Sequence, residues 1–275
     1  MNRILRTIAS VALIASALSV SAQEKTIVFA DWNIRSFEKG TSSDQNIVPV
    51  DEYVEFIKTF NADIITFNEF ETVTSREGAE KMAEVAKELG MFGYFIESYP
   101  KGGDGFYGNV ILSKWPIINT ASKQMIYKNN KGDGYYQFNV DPELTEYGAD
   151  QRSVGYADIL VPVSATESKI LRVVTSHFDH MGKESVRTRQ ATESVQFASL
   201  DNPPYPTVMM GDLNTMWAET TLKPLSDVGD HVDVHWVDHV FTFPKGKFTK
   251  VKWESPSSGL LSDHEPVIAT LKVTL

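Results

Sequence analysis

Apolar positions along this chain follow two spacings, one near two residues and one near three and a half, and the spacing alternates from segment to segment. Lys25 to Ile34 reads as a strand that runs through Trp32-Asn33-Ile34. Val50, Val54 and Ile57, with Tyr53 and Phe60, then recur at helical spacing. Asp63 to Phe67 reads as a buried strand ending at Asn68-Glu69, and Ala79, Met82, Ala83 and Ala86 mark a second amphipathic helix stopped by Gly90. This alternation predicts an α/β domain. From Phe92 onward strands follow in series, at Gly93 to Ile96, Asn109 to Ser113, Ile117 to Ile126, Val154 to Val161 and Ile170 to Ser176, which predicts antiparallel connections. A helix is expected at about Glu184 to Leu200, then a break at Pro203-Pro204-Tyr205-Pro206. Beyond it come a strand from Thr207 to Met210, a short helix near Glu219 to Leu225, and final strands around Val240, Phe248 and Val267 to Val273.

Lys128 to Gln151 resists this scheme, being rich in Asn, Gly, Asp and Glu yet holding Tyr135, Tyr136, Phe138 and Tyr147. A loop of this length is expected to be either a flap on the substrate side or an excursion packed by its own aromatics.

The amino terminus adds an address. Arg3 and Arg6 precede an apolar stretch from Ile8 to Leu18 and the small residues Ser19-Val20-Ser21-Ala22, the layout of a secretory signal peptide over residues 1–22. The stretch is short for a bilayer span, and no internal repeat or interdomain linker follows. One domain over residues 23–275 is therefore expected, exported to the periplasm or secreted, without stable membrane insertion and as a monomer. The absence of cysteine excludes disulfides, thiolate-bound metal and a lipidated cysteine anchor. The net charge of −10 excludes steering of a polyanion by overall charge, so any phosphate binding must be local and assisted by a cation.

The candidate chemistry lies where predicted strands end: Asn33, Glu69, His177 and Asp179, Asp212 and Asn214, and Asp263 with His264. Taken singly, each has a structural alternative. Glu69 suits a hard cation such as Mg²⁺, which keeps several waters and needs few protein oxygens, or it caps a turn. Asp212 and Asn214, two apart, share a face if the strand persists; Asp212 could orient a water and Asn214 donate to a phosphate oxygen. The alternative is an Asx turn. His264, beside Asp263 and with Asp238 as a hydrogen-bond partner, is a candidate base. His177 could polarise a phosphate or protonate a leaving oxygen, or it could join Asp179 and His180 in a transition-metal cluster. His231, His235 and His239 recur every four residues, as zinc ligands on a helix would, but the surrounding alternation favours a strand or loop. Lys245, Lys247, Lys250 and Lys252, interleaved with Phe248 and Trp253, either track a nucleic-acid backbone or guard an edge strand.

Together, Trp32-Asn33-Ile34, Asn68-Glu69, Gly108-Asn109-Val110-Ile111-Leu112-Ser113, Ser176-His177-Phe178-Asp179, Gly211-Asp212-Leu213-Asn214 and Ser262-Asp263-His264 resemble the endonuclease/exonuclease/phosphatase superfamily, in order and approximate spacing, from about Thr26 to Leu275. The resemblance implies a four-layer α/β sandwich, two mixed β-sheets packed face to face with flanking helices, and a Mg²⁺- or Mn²⁺-dependent site at one end. It implies Glu69 as principal metal ligand with Asn33 beside it, and Asp263 as a further metal-side carboxylate. Asp212 would position water, Asn214 and His177 would hold phosphate oxygens, and His264, oriented by Asp238, would act as base or transition-state donor. Asn109 and Arg152 are the expected substrate-side residues, although Gly108-Asn109 departs from the secreted deoxyribonuclease pattern, which has an acidic residue near this point.

The expected activity is hydrolysis of a phosphodiester by in-line attack of water, with nucleic acid the leading substrate class. One alternative is a phospholipid, for which Tyr135-Tyr136 and Met216-Trp217 would supply an apolar loop, as in sphingomyelinases. Another is a sugar or inositol phosphate, for which Arg152, Arg187 and Arg189 would supply a basic pocket. A noncatalytic binding protein of the same fold is the reading from a different class, and the presence of Glu69, Asp212 and His264 argues against it.

Overall fold

The computed structural model describes residues 23–275 apart from 40–48, 75–79, 127, 129–139, 142 and 149. The leader, Ala79, and the aromatics Tyr135, Tyr136 and Phe138 of the proposed flap lie outside the described residues.

Two six-stranded mixed sheets pack face to face, as expected for the four-layer sandwich. The first contains β1 (Glu24–Asn33), β2 (Ile64–Thr72), β3 (Phe92–Pro100), β4 (Phe106–Ser113), β11 (Phe248–Glu254) and β12 (Val267–Thr274), in the order β11-β12-β1-β2-β4-β3. The second contains β5 (Ile117–Gln124), β6 (Ser153–Pro162), β7 (Ser168–Ser176), β8 (Thr207–Asp212), β9 (Asp230–His235) and β10 (Asp238–Phe243), in the order β5-β6-β7-β8-β10-β9. Each sheet has one parallel pair at its centre, β1 with β2 and β7 with β8, and its other pairs are antiparallel. The two sheets thus repeat one topology that the sequence does not display.

Alternation along the strands builds the middle of the sandwich. Ile27, Phe29, Ile64, Ile111, Ile159, Val173, Val208, Val240 and Leu271 form the core between the sheets. The opposite face of the first sheet is covered by α1 (Val50–Lys58) and α2 (Lys81–Leu89), through Tyr53, Val54, Ile57 and Val85. That of the second is covered by α3 (Glu184–Ala198) and α4 (Lys223–Val228), through Ala191, Ala198 and Leu225. Gly90 ends α2 with a left-handed φ of 65°, as the sequence predicts. The predicted helix at Glu219 to Leu225 instead begins at Lys223, because Pro224 has no amide hydrogen to donate and fits only a first helical turn.

This topology puts the chemistry-bearing ends on one rim. β1 finishes at Asn33, β7 leads into His177, β8 finishes at Asp212, β10 starts at Asp238, and His264 precedes β12. Asn33 pairs with Asn68, and Asp212 with Asp238. β2 does not stop at Glu69 but continues to Thr72 through a register shift between Phe67 and Phe70, with Glu69 at φ 54°. That bulge turns Glu69 out of the ladder.

Candidate active site

Asp212 is the hub. It closes β8, where Gly211 lets two parallel strands approach so closely that an added Cβ would stand 2.1 Å from the Ser176 carbonyl oxygen. Three groups from other strands or strand ends face one carboxylate oxygen, Asp212 Oδ2: Asn33 Nδ2 at 3.0 Å, His177 Nε2 at 3.4 Å and His264 Nε2 at 3.7 Å. Asn33 Nδ2 also donates to Glu69 Oε1 at 3.1 Å, which ties the two carboxylates together through one amide. Its Oδ1 accepts the Arg35 amide.

The backbone after Asn33 is unusual: Arg35, Ser36 and Phe37 have φ of 48°, 53° and 62°, a left-handed run disfavoured for L-residues. It is held from both sides. Ser36 Oγ donates to the Glu69 carbonyl oxygen and to Glu71 Oε1, and Phe37 packs edge-on against Tyr53 and Phe70. The turn places Arg35 Nε 3.7 Å from Asp263 Oδ2, so the exposed Asp263 carries a guanidinium partner at the mouth of the site.

The two imidazoles differ in protonation. Arg152 directs one guanidinium nitrogen at His177 Nδ1 (2.9 Å) and another at His180 Nδ1 (3.2 Å). A guanidinium can only donate, so His177 Nδ1 accepts and its hydrogen sits on Nε2, facing Asp212. Burial, and then the Arg152 charge, hold His177 well below its ordinary range, so it is neutral. His264 is the reverse case. Burial opposes its charge, but its Nδ1 hydrogen bond to Asp238 Oδ2 (2.9 Å) and the Asp238 charge prevail and lift it to about 10. Burial raises Asp238 to about 7 despite that bond. The hydrogen bond to Asp238 and its charge thus favour the protonated form of the His264 ring.

Burial also raises Glu69, against the pull of Asn33 and Arg152. Ser262 locks the final loop in place, its Oγ donating to the Asn33 carbonyl oxygen at 2.6 Å and accepting the His264 amide at 3.1 Å. Trp32 Nε1 donates to the His264 carbonyl oxygen.

Not every predicted residue takes the expected position. β8 ends at Asp212, so Asn214 does not continue its face. Asn214 has φ 51°, gives its backbone amide to Asp212 Oδ1 and gives an Nδ2 hydrogen to the Phe178 carbonyl oxygen, so the Asx turn is present. Asn109 is 1% exposed, with its amide taken up by Asn68 and Ser153 rather than turned to the open face of the site. Asp179 accepts amides of its own loop at Met181 and Gly182, while His177 and His180 both face a guanidinium. A transition-metal cluster there is disfavoured by that resident positive charge. His231 and His235 lie on β9 and His239 on β10, with His231 Nε2 3.1 Å from His239 Nδ1, so the helical zinc spacing is not realised.

Three buried residues outside the predicted set support the site. Asn68 accepts the Asp212 amide at 2.7 Å and donates to Asn109 at 2.9 Å, bridging the two sheets. Tyr107 sets its hydroxyl 3.5 Å from His177 Nδ1. Asp31, with Thr66 donating to it, is raised well above the usual carboxylate range by burial and then by the charge of Asp238. Asn68 belongs to the Asn68-Glu69 motif, but an Asn inside a strand carries no local signal of what it bridges.

A sequence model of the endonuclease/exonuclease/phosphatase family matches residues 17–264. The chain belongs to this family. Members are hydrolases acting on phosphoester bonds, and family chemistry is generally divalent-metal dependent. No curated protein matches the sequence. Among solved structures, the chain is similar to an endonuclease/exonuclease/phosphatase from Bacteroides vulgatus, with 17% identity and a TM-score of 0.66 over 90% of this chain and 99% of that one. It is similar to a mannosyl-6-phosphatase from Bacteroides thetaiotaomicron, with 12% identity and a TM-score of 0.62 over 89% and 99%. A third is the human Nocturnin catalytic domain with bound sulfate, with 13% identity and a TM-score of 0.64 over 90% and 95%. At these identities the likeness is one of fold.

Proposed function

We propose that this chain is an exported, Mg²⁺- or Mn²⁺-dependent phosphodiesterase that works by in-line attack of water. The observation that carries this reading is the convergence of Asn33, His177 and His264 on Asp212 Oδ2. Asp212 accepts the proton of the attacking water. The neutral His177 offers its Nε2 hydrogen to a nonbridging oxygen. As the bond from phosphorus to the leaving oxygen breaks, the His264 imidazolium gives that oxygen its Nε2 proton, and Asp238 holds the ring in place.

Glu69 fits a hard cation. It is a carboxylate whose charge is costly where it lies, bound to an amide donor that it shares with Asp212, in a site of oxygen donors without thiols. Glu69 would hold the ion with Asp263, with Asn33 beside it. The bound ion supplies positive charge to the phosphate oxygens. Asp212, Asp238 and His264 also place one ligand atom each within 4.8 Å of one another. His264 is committed to Asp238 as an imidazolium, however, which favours the Glu69 side.

For the substrate, we favour a small phosphodiester over a long nucleic acid. Lys245 and Lys247 lie past the far end of β10, about 17 Å along the strand from Asp238. Lys250 pairs with Asp233 and Lys252 with Glu254, while Phe248 and Trp253 pack against the core between the sheets. The stretch is an edge strand guarded by lysines. A monoester reading has one observation in its favour, the likeness to the mannosyl-6-phosphatase. Yet Arg187 is bound to Glu184 and Arg189 to Glu193 and the Ile126 carbonyl oxygen, so that of these three arginines Arg152 faces the site histidines.

The test is to assay residues 23–275 on phosphodiester and phosphomonoester dyes, plasmid DNA and sphingomyelin, with Mg²⁺, Mn²⁺ or chelator. Diester cleavage that chelator abolishes and that falls at least ~10²-fold in Asp212→Ala is expected. Activity that survives chelation on every substrate rules the metal mechanism out.

A further inference from the structure

One exposed side chain beside the site is held at a backbone cost with little burial in return. Trp236 is the first of two residues in the tight turn from β9 to β10, with His235 and Asp238 as the closing pair. Its φ is 55°, at a position where hairpin turns take glycine or asparagine because a bulky L side chain strains there. Its side chain is 56% exposed, so core packing does not explain the choice. Strain of this kind is a pointer to function.

The indole lies against the catalytic imidazole. The ring centroids of Trp236 and His264 are 4.7 Å apart, with the planes tilted by 44°. His264 covers part of the indole and solvent meets much of the rest. A phosphate held at His264 Nε2 therefore has an open aromatic surface next to it. The turn is short and closed by the Asp238 pairing, so the surface is carried by the strand that orients His264.

We infer that Trp236 is a substrate-specificity residue, the platform for a ring with an apolar face carried by an alcohol of the ester. This rests on the proposed phosphoesterase reading and adds to it the class of alcohol in the ester. Rings of this kind occur in nucleosides and in hexoses, and both meet an indole in the same way, face against face. A straight alkyl chain of equal size loses that flat contact and more conformational freedom.

The test compares methyl benzyl phosphate with methyl n-butyl phosphate, whose leaving alcohols are of similar acidity, in the metal-supplemented wild type, Trp236→Phe, Trp236→Ala and Trp236→Gly. Wild type is expected to favour the benzyl ester about fivefold to tenfold in kcat/KM, with most of the preference kept in Trp236→Phe and none in Trp236→Ala or Trp236→Gly. Trp236→Gly relieves the positive φ and is expected to melt no lower than wild type, so its loss of preference is not a loss of fold. Trp217→Ala, at an exposed tryptophan outside the site, keeps the wild-type ratio. A nucleoside 5′-methyl phosphate and a hexose 6-methyl phosphate, run in parallel, tell which ring source benefits more from Trp236. Equal falls for both simple esters, with the ratio preserved in Trp236→Ala, would mean that the indole only positions His264, and would overturn the inference. If wild type cleaves no ester at all, the phosphoesterase reading fails first and this inference falls with it.

Discussion

Asn68 is where the two halves of the site are joined, and its removal has a calculable cost. Its side-chain oxygen is the acceptor for the Asp212 backbone amide at 2.7 Å, and its amide nitrogen donates to Asn109 Oδ1 at 2.9 Å and toward Thr175 Oγ1 at 3.5 Å. Asn68 and Asp212 belong to different sheets, and both are buried. Asn68→Ala strands one buried amide hydrogen and one buried carbonyl oxygen. Each costs about 1–3 kcal/mol, so roughly 2–6 kcal/mol of stability is expected to go. Because the lost bond holds the end of β8 against the Glu69 strand, kcat/KM is expected to fall about 10- to 10²-fold in protein that is still folded. Urea unfolding and activity on a phosphodiester dye, measured on the same preparations, give both numbers. Asn109→Ala and the double variant complete a cycle with a coupling of about 1–2 kcal/mol, since each single change orphans the other amide. An Asn68→Ala protein within ~1 kcal/mol of wild type, with full activity, would show that this bridge does not hold the site together.

Two further outcomes follow from the geometry. His239 is fully buried, 2.6 Å from the Thr215 carbonyl oxygen, and burial lowers it to about 4. The folded state therefore binds this proton less readily than the unfolded chain. The contribution of His239 is complete above about pH 6.5 and is lost as pH falls toward 4, up to about 3 kcal/mol. Unfolding free energies at several pH values should show a steeper acid loss in wild type than in His239→Gln, which keeps a donor for Thr215; equal slopes would contradict the assignment. Reversing charge at Lys245 and Lys247, which sit at the end of the sandwich away from Asp238, is expected to change plasmid and small-diester cleavage by less than about twofold at 0.1 M salt; a selective loss on plasmid would restore the nucleic-acid track.

Most of the elements were legible in the chain because each is a local matter. Strand and helix periods report which face of a segment is buried, Gly90 ends a helix that cannot continue past it, and Asn33 and Asp212 close their strands. Boundaries were less legible where one residue overrides a pattern, as Pro224 does for α4 and the bulge at Glu69 does for β2. Relations between distant segments were beyond reach of periodicity. That Asn68 bridges to Asp212, that Arg152 fixes the tautomer of His177, that Asp263 faces Arg35, that the lysines of β11 are matched by acids, and that Trp236 lies on His264 all depend on which strand neighbours which. Sequence alone determined the kinds of groups available and the faces they could occupy. Tertiary structure decided their partners, and with them their charge, because protonation and hydrogen bonding depend on atoms a few ångströms away in space that may stand two hundred residues away along the chain.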